Sequence, residues 1–247
     1  MKSALLICSL AIICVVYADN DDSDSTVSTT TEPFNYESQK KLIYFNVSNS
    51  LNALSQLYQE KVVNLGVKVN DTLKKSFLSV QGILNLTLSD VRNNVKNAND
   101  DSFDADVCYQ NASDSVASQI AKSTEDLEIC SSNALQEIES FAELIATTRT
   151  FGENVLIKLN TISKLCNDPN KEENDNCLSN EMQDFPLSSY TILVEMLKSF
   201  KLPVVSGALH PRDGCLADIV LESREGALDI QLEAELCVQK QITKATS

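Results

Sequence analysis

Residues 51–95, LNALSQLYQEKVVNLGVKVNDTLKKSFLSVQGILNLTLSDVRNNV, decide the fold class. Apolar side chains recur at Leu51, Leu54, Tyr58, Val62, Leu65, Val69, Leu73, Phe77, Val80, Leu84, Leu88, Val91 and Val95, always three or four residues apart. Within that series Leu51, Val62, Leu73, Leu84 and Val95 stand eleven apart. Eleven residues make three turns of about 3.67 residues, so the series forms one stripe on a nearly straight helix. The helix is expected over about residues 40–97, with a weak point at Gly66 and its end in the polar run Asn97–Ser102.

Working outward, no proline occurs between Pro33 and Pro169, and only Gly66, Gly82 and Gly152 fall in that interval. β-proteins need frequent Gly/Pro turns, so the interval reads as long helices. A second helix is expected to begin near Phe103–Asp106, where carboxylates favour a helix N-terminus. It carries Val116, Ile120, Leu127, Cys130, Ala134, Ile138, Phe141, Ile145, Thr148, Val155, Leu159, Ile162 and Cys166. From Ile138 onward the steps alternate three and four, a heptad-like stripe suited to a partner helix, with a bend expected at Gly152. Residues 167–186 read as a polar loop, 187–201 as a short helix and 202–214 as an irregular connection. A last helix, about 215–244, should bury Leu216, Ile219, Val220, Ala227, Ile230, Ala234 and Cys237.

The first eighteen residues set the expected compartment. Met1-Lys2 is a short positive region, Ser3–Val16 an apolar run too short to span a bilayer, and Val16-Tyr17-Ala18 a cleavage-compatible end. Residues 1–18 therefore read as a signal peptide, and the expected localisation is secreted, extracellular. Residues 19–38 are acidic and Ser/Thr-rich with little to bury, which reads as a disordered leader. Residues 39–247 form the expected helical domain. No later segment approaches eighteen consecutive apolar residues, so no membrane insertion is expected.

Cys8 and Cys14 lie in the signal, leaving Cys108, Cys130, Cys166, Cys177, Cys215 and Cys237. An even number in an exported chain reads as three disulfides; with no CxxC pair and one histidine, zinc is disfavoured. Cys108 to Cys130 and Cys215 to Cys237 share a spacing of 22 residues, about six helical turns. Cysteines that far apart on one helix cannot bond to each other, because a disulfide holds its Cα atoms about 6 Å apart. Two helices with matched intervals can instead be riveted at two levels. Antiparallel helices pair Cys108 with Cys237 and Cys130 with Cys215; parallel helices pair Cys108 with Cys215 and Cys130 with Cys237. The reach of the segment from Cys166 back to Cys215 favours the antiparallel choice, with Cys166–Cys177 pinching the loop. The expected architecture is all-α: an elongated bundle of long antiparallel helices stapled by disulfides.

Four sequons fit the exported compartment, at Asn46, Asn70, Asn85 and Asn111. With 20 basic and 35 acidic residues the net charge is −15, which argues against nucleic acid or an anionic membrane as partner. His210, beside Pro211 in the connection, is the single histidine, and no serine stands in a nucleophile-elbow context. The acidic clusters Asp100, Asp101, Asp104, Asp106 and Asp168, Asn170, Glu172, Glu173, Asp175 lack the glycine and glutamate positions of an EF-hand loop, and read as solvated turns. No catalytic residue, metal site or cofactor is expected.

Cysteines set inside helices, as in Val107-Cys108-Tyr109-Gln110 and Glu128-Ile129-Cys130, together with sequons in long amphipathic helices and a signal peptide, resemble the insect secreted helical proteins of the tsetse EP domain family. The resemblance covers roughly residues 40–240 and implies a gut, salivary or body-fluid protein with an immune-related role and no catalytic residues. The expected function is that of a secreted, non-enzymatic glycoprotein that binds another macromolecule, a protein or a surface glycan. Two other readings stand beside it: a helical carrier of small apolar ligands such as lipids, and self-association through the eleven-residue stripe of the first helix.

Overall fold

The computed structural model describes residues 35–247 apart from Asp168, Asp184, Asp213, Ser247 and the side chain of Thr246. The signal peptide at 1–18 and all of the leader up to residue 34 lie outside the described residues. One compact unit, Tyr36–Ser247, holds every described helix, so the helical domain begins three residues earlier than expected. Its elements are α1 (Tyr36–Tyr58), a π-helical turn (Gln59–Asn64), α2 (Leu65–Asp100), α3 (Asp106–Leu165), α4 (Lys171–Gln183), α5 (Leu187–Ser199), α6 (Pro203–Leu209) and α7 (Cys215–Thr246). No strand occurs among the described residues.

The first helical column, α1 through α2, departs from the expected stripe at one place. Before the π turn the buried residues are Tyr36, Ile43, Val47, Leu54 and Leu57; after it they are Val69, Ser76, Val80, Leu84, Thr87, Val91, Val95 and Ala98. Leu57 is buried where Tyr58 was expected, and Tyr58 is 42% exposed. A π turn closes i→i+5 bonds and so absorbs an extra residue, rotating the stripe that follows against the stripe before it. The irregularity precedes Gly66, the expected weak point. Leu51, Val62 and Leu73 pack partly buried against the core, and Leu84 and Val95 lie inside it. Most of the eleven-residue stripe therefore packs within the unit itself.

α3 has 60 residues, a length of about 90 Å. Its buried row Ile138, Phe141, Ile145, Thr148, Gly152, Val155, Leu159 and Ile162 keeps the alternation of three and four, so it presents one seam to its neighbours. The helix passes through Gly152 unbroken. Its missing Cβ makes room for Tyr190: a Cβ there would lie 2.5 Å from the tyrosine Oη. Phe151 meets the same ring edge-on, with centroids 5.9 Å apart.

Everything from α4 onward runs antiparallel to α3 as one interrupted helical column. Its successive contacts are Cys177 with Cys166, Tyr190 with Phe151, Phe200 stacked on Phe141 at 5.3 Å, the Val205 amide on Glu137, Cys215 with Cys130 and Cys237 with Cys108. Moving 58 residues back along α3, from Cys166 to Cys108, corresponds to 60 residues forward, from Cys177 to Cys237. The register is therefore nearly constant over the length of α3. α2, α3 and α7 pack mutually as a three-helix bundle; α1 packs on α3 and α5 further along the same columns.

Two segments expected to be irregular are helical. Residues 171–183 form α4 because the Asn170 side-chain oxygen accepts from the Glu172 amide at 3.1 Å, and Glu172 and Glu173 occupy the first turn. Its apolar burial is only Leu178 and Met182, one turn apart, too little for a periodic signal. Within 202–214, α6 starts on Pro203, whose missing amide proton costs nothing at a first helical position. Its Val205 amide donates to the Glu137 carboxylate at 2.9 Å, a cap supplied from α3 across 68 residues.

Candidate interaction surface

The sequence-predicted positions distribute over the bundle without converging on one pocket. Asn46 on α1, Asn70 and Asn85 on α2 and Asn111 on α3 are all exposed, so each sequon is sterically open to a glycan. The cysteines pair as Cys108–Cys237, Cys130–Cys215 and Cys166–Cys177, with Cα separations of 5.7, 6.1 and 5.6 Å. The first two bonds tie α7 to α3 at two heights, and the third ties α4 to the end of α3.

The carboxylates of Asp100, Asp104 and Asp106 are engaged in the α2–α3 turn. Lys96 Nζ lies 2.6 Å from Asp100, the Asn99 amide group donates to Asp106 at 2.7 Å, and Asn99 Oδ1 accepts from the Ala105 amide at 2.9 Å. Among the described residues no group of three or more His, Cys, Asp or Glu is placed to share a metal ion. His210 is exposed between α6 and α7, on a segment whose Gly214 packs against the His210 and Gly207 carbonyls with no room for a Cβ. Among the described residues no helix is long and apolar enough to cross a membrane.

The surface that stands out is the outer face of α7. Its inner face buries Leu216, Ile219, Ser223, Ala227, Ile230, Ala234 and Val238. Opposite this row lie Leu221, Leu228, Leu232 and Leu236, at steps of seven, four and four, each between 47% and 66% exposed. At 100° per residue these four fall within one side of the helix. A fully buried leucine contributes about 1.5–3 kcal/mol, so each half-exposed one leaves about 1 kcal/mol unrealised. Beside the leucines runs a row of exposed carboxylates, Asp218, Glu222, Glu225, Asp229 and Glu233, at steps of four, three, four and four. α7 therefore displays an apolar ridge and an acidic ridge in parallel.

A depression of about 450 Å³ continues the leucine ridge, lined by Leu236, Gln239, Lys240, Thr243 and Lys244. All five residues belong to α7, so the depression is a surface feature of one helix and encloses nothing. Another exposed apolar run, Ile192 and Met196 on α5 followed by Phe200 and Val204, lacks an acidic companion row: Glu195 there is paired with Lys198 at 2.7 Å.

The expected buried row of α7 does not include Leu221, Leu228, Leu232 or Leu236. The one signal was their number, because α7 has more large aliphatic residues than one core-facing row can hold. An amphipathic helix with one buried face should be polar on the other.

The chain matches no protein-family model, no curated protein and no solved structure.

Proposed function

We propose that this protein is a secreted, non-enzymatic glycoprotein that acts by binding another macromolecule through the outer face of α7. The observation that carries the reading is the exposed leucine row Leu221, Leu228, Leu232 and Leu236, on a helix fixed to α3 by two disulfides. Contiguous apolar surface rimmed by charge is characteristic of protein–protein contact sites. A helix held at both ends meets a partner with little ordering cost of its own. The four sequons lie on α1, α2 and α3. The resemblance to insect secreted helical proteins fits an extracellular role in gut, saliva or body fluid.

The competing reading, a carrier of small apolar ligands, draws less support from these features. A ligand-carrying site is concave and buries most of its guest, whereas the α7 depression is formed by one helix surface. Native mass spectrometry of the intact protein, purified from the medium of secreting cells and compared before and after lipid extraction, separates the two. The proposal expects one glycoform-dispersed mass unchanged by extraction. A stoichiometric lipid lost on extraction supports the carrier.

A further inference from the structure

We infer that the α7 surface is a docking site for a basic amphipathic helix, an inference that rests on the macromolecule-binding reading above. From Asp218 to Leu236, α7 has six acidic residues and one basic residue, Arg224. Five of the six acids form the ridge beside the leucines, and all six are exposed. The ion pairs among the described residues engage other carboxylates, those of Asp100, Glu153, Glu181 and Glu195.

A helix laid along this surface would place apolar residues, at its own steps of three and four, over Leu221, Leu228, Leu232 and Leu236. Lysine or arginine on its adjacent face would then lie over Asp218, Glu222, Glu225, Asp229 and Glu233. This is recognition of an amphipathic helix by an apolar strip, with the charge row fixing orientation and excluding acidic competitors. A second copy of this chain fits poorly, since it would bring the same acidic ridge against its own in a molecule of net charge −15.

The test uses the full glycosylated protein and two fluorescent peptides of about 18 residues, five helical turns. One carries a row of Leu and an adjacent row of Lys along one side of a helix; the other has the same composition in scrambled order. Fluorescence anisotropy should show saturable binding of the amphipathic peptide, at least about tenfold weaker binding of the scrambled one, and weakening with added salt. The double variant L228S/L232S keeps every charge and should lose about tenfold or more in affinity for the amphipathic peptide. Its circular dichroism should remain that of the wild type, because both side chains face solvent.

Equal affinity for the two peptides would overturn the inference, because binding would then be by net charge alone. Unchanged affinity in L228S/L232S would overturn it too. So would a wild-type dimer, seen by analytical ultracentrifugation without peptide and lost in the variant, because a second copy would then occupy the ridge. None of these results bears on the lipid-extraction experiment, which tests the broader reading by itself.

Discussion

The hydroxyl of Ser123 on α3 lies 2.9 Å from that of Ser223 on α7, both fully buried and placed between the two disulfides that join these helices. Ser223 donates onward to the Ile219 carbonyl at 2.7 Å, so the Ser123 hydroxyl is the donor between the two. A satisfied polar pair at this depth fits one register of α7 on α3 and penalises any slip that separates the hydroxyls. Ser223→Ala leaves the Ser123 hydroxyl short of its partner and should cost about 1–2 kcal/mol in urea denaturation. Replacing both serines by alanine should cost less than that single change. A double variant as weak as the sum of the singles would deny that the hydroxyls act as a pair.

Tyr190 is buried with no hydrogen-bond partner for its hydroxyl, and its ring fills the space left by Gly152. Gly152→Ala should therefore destabilise by about 1–3 kcal/mol through overpacking, despite alanine's better helix propensity. Burial, with the Glu153 carboxylate adding to it, pushes the phenol up to about 12. The folded state thus resists ionisation that the unfolded chain undergoes near pH 10. Its stabilising effect is complete below pH 10 and is lost as pH rises toward 12. Thermal melts of wild type and Tyr190→Phe should therefore diverge over that window, with the wild type falling faster. Parallel melting curves would contradict this account of the tyrosine.

Ser102 ends α2 with φ 72°, in the left-handed region. Phe103 donates to the Ala98 carbonyl at 3.0 Å and Ser102 to that of Asn99 at 2.9 Å, the hydrogen-bond pair of a Schellman cap. Glycine occupies this conformation without Cβ strain, so Ser102→Gly should stabilise the protein by about 1 kcal/mol, read as a higher denaturation midpoint. A lower midpoint would count against the cap.

The Cys108–Cys237 bond encloses the Cys130–Cys215 bond, their sequence separations being 129 and 85. With the inner bond intact, the outer one closes only the 44 residues by which those separations differ. Chain entropy then puts its contribution at about 4 kcal/mol, against about 3 kcal/mol for Cys166–Cys177 with its separation of 11. The paired changes C108S/C237S and C166S/C177S should rank in that order by loss of denaturation midpoint.

The long helices were legible because each carries a stripe of many repeats, from Leu51 to Val95 in one case and from Ile138 to Cys166 in the other. The matched spacing of Cys108–Cys130 and Cys215–Cys237 limited α7 to two pairings, and the reach of the segment from Cys166 back to Cys215 pointed to the antiparallel one. What escaped was decided by single local contacts. The π turn at 59–64 has no distinguishing residue and shows only as the exchange of Leu57 for Tyr58. α4 depends on one asparagine cap, and α6 on Glu137, a residue 68 positions from the amide it caps. The role of Gly152 is set by Tyr190, on another helix, so its neighbours in sequence do not show it. The α7 ridge was not legible as a second face, because Leu221, Leu228, Leu232 and Leu236 fall outside the core-facing row and have no partner within the chain's own pattern to mark them.

The most direct test of the docking face is hydroxyl-radical footprinting of the intact glycoprotein, with and without the amphipathic Leu/Lys peptide, because oxidation reads exposed leucine side chains themselves. The account predicts that oxidation of Leu221, Leu228, Leu232 and Leu236 falls together on binding, while the equally exposed Leu42, Leu78 and Leu165 are oxidised as before. Protection at those three instead, or unchanged oxidation of the α7 leucines at saturating peptide, would contradict it.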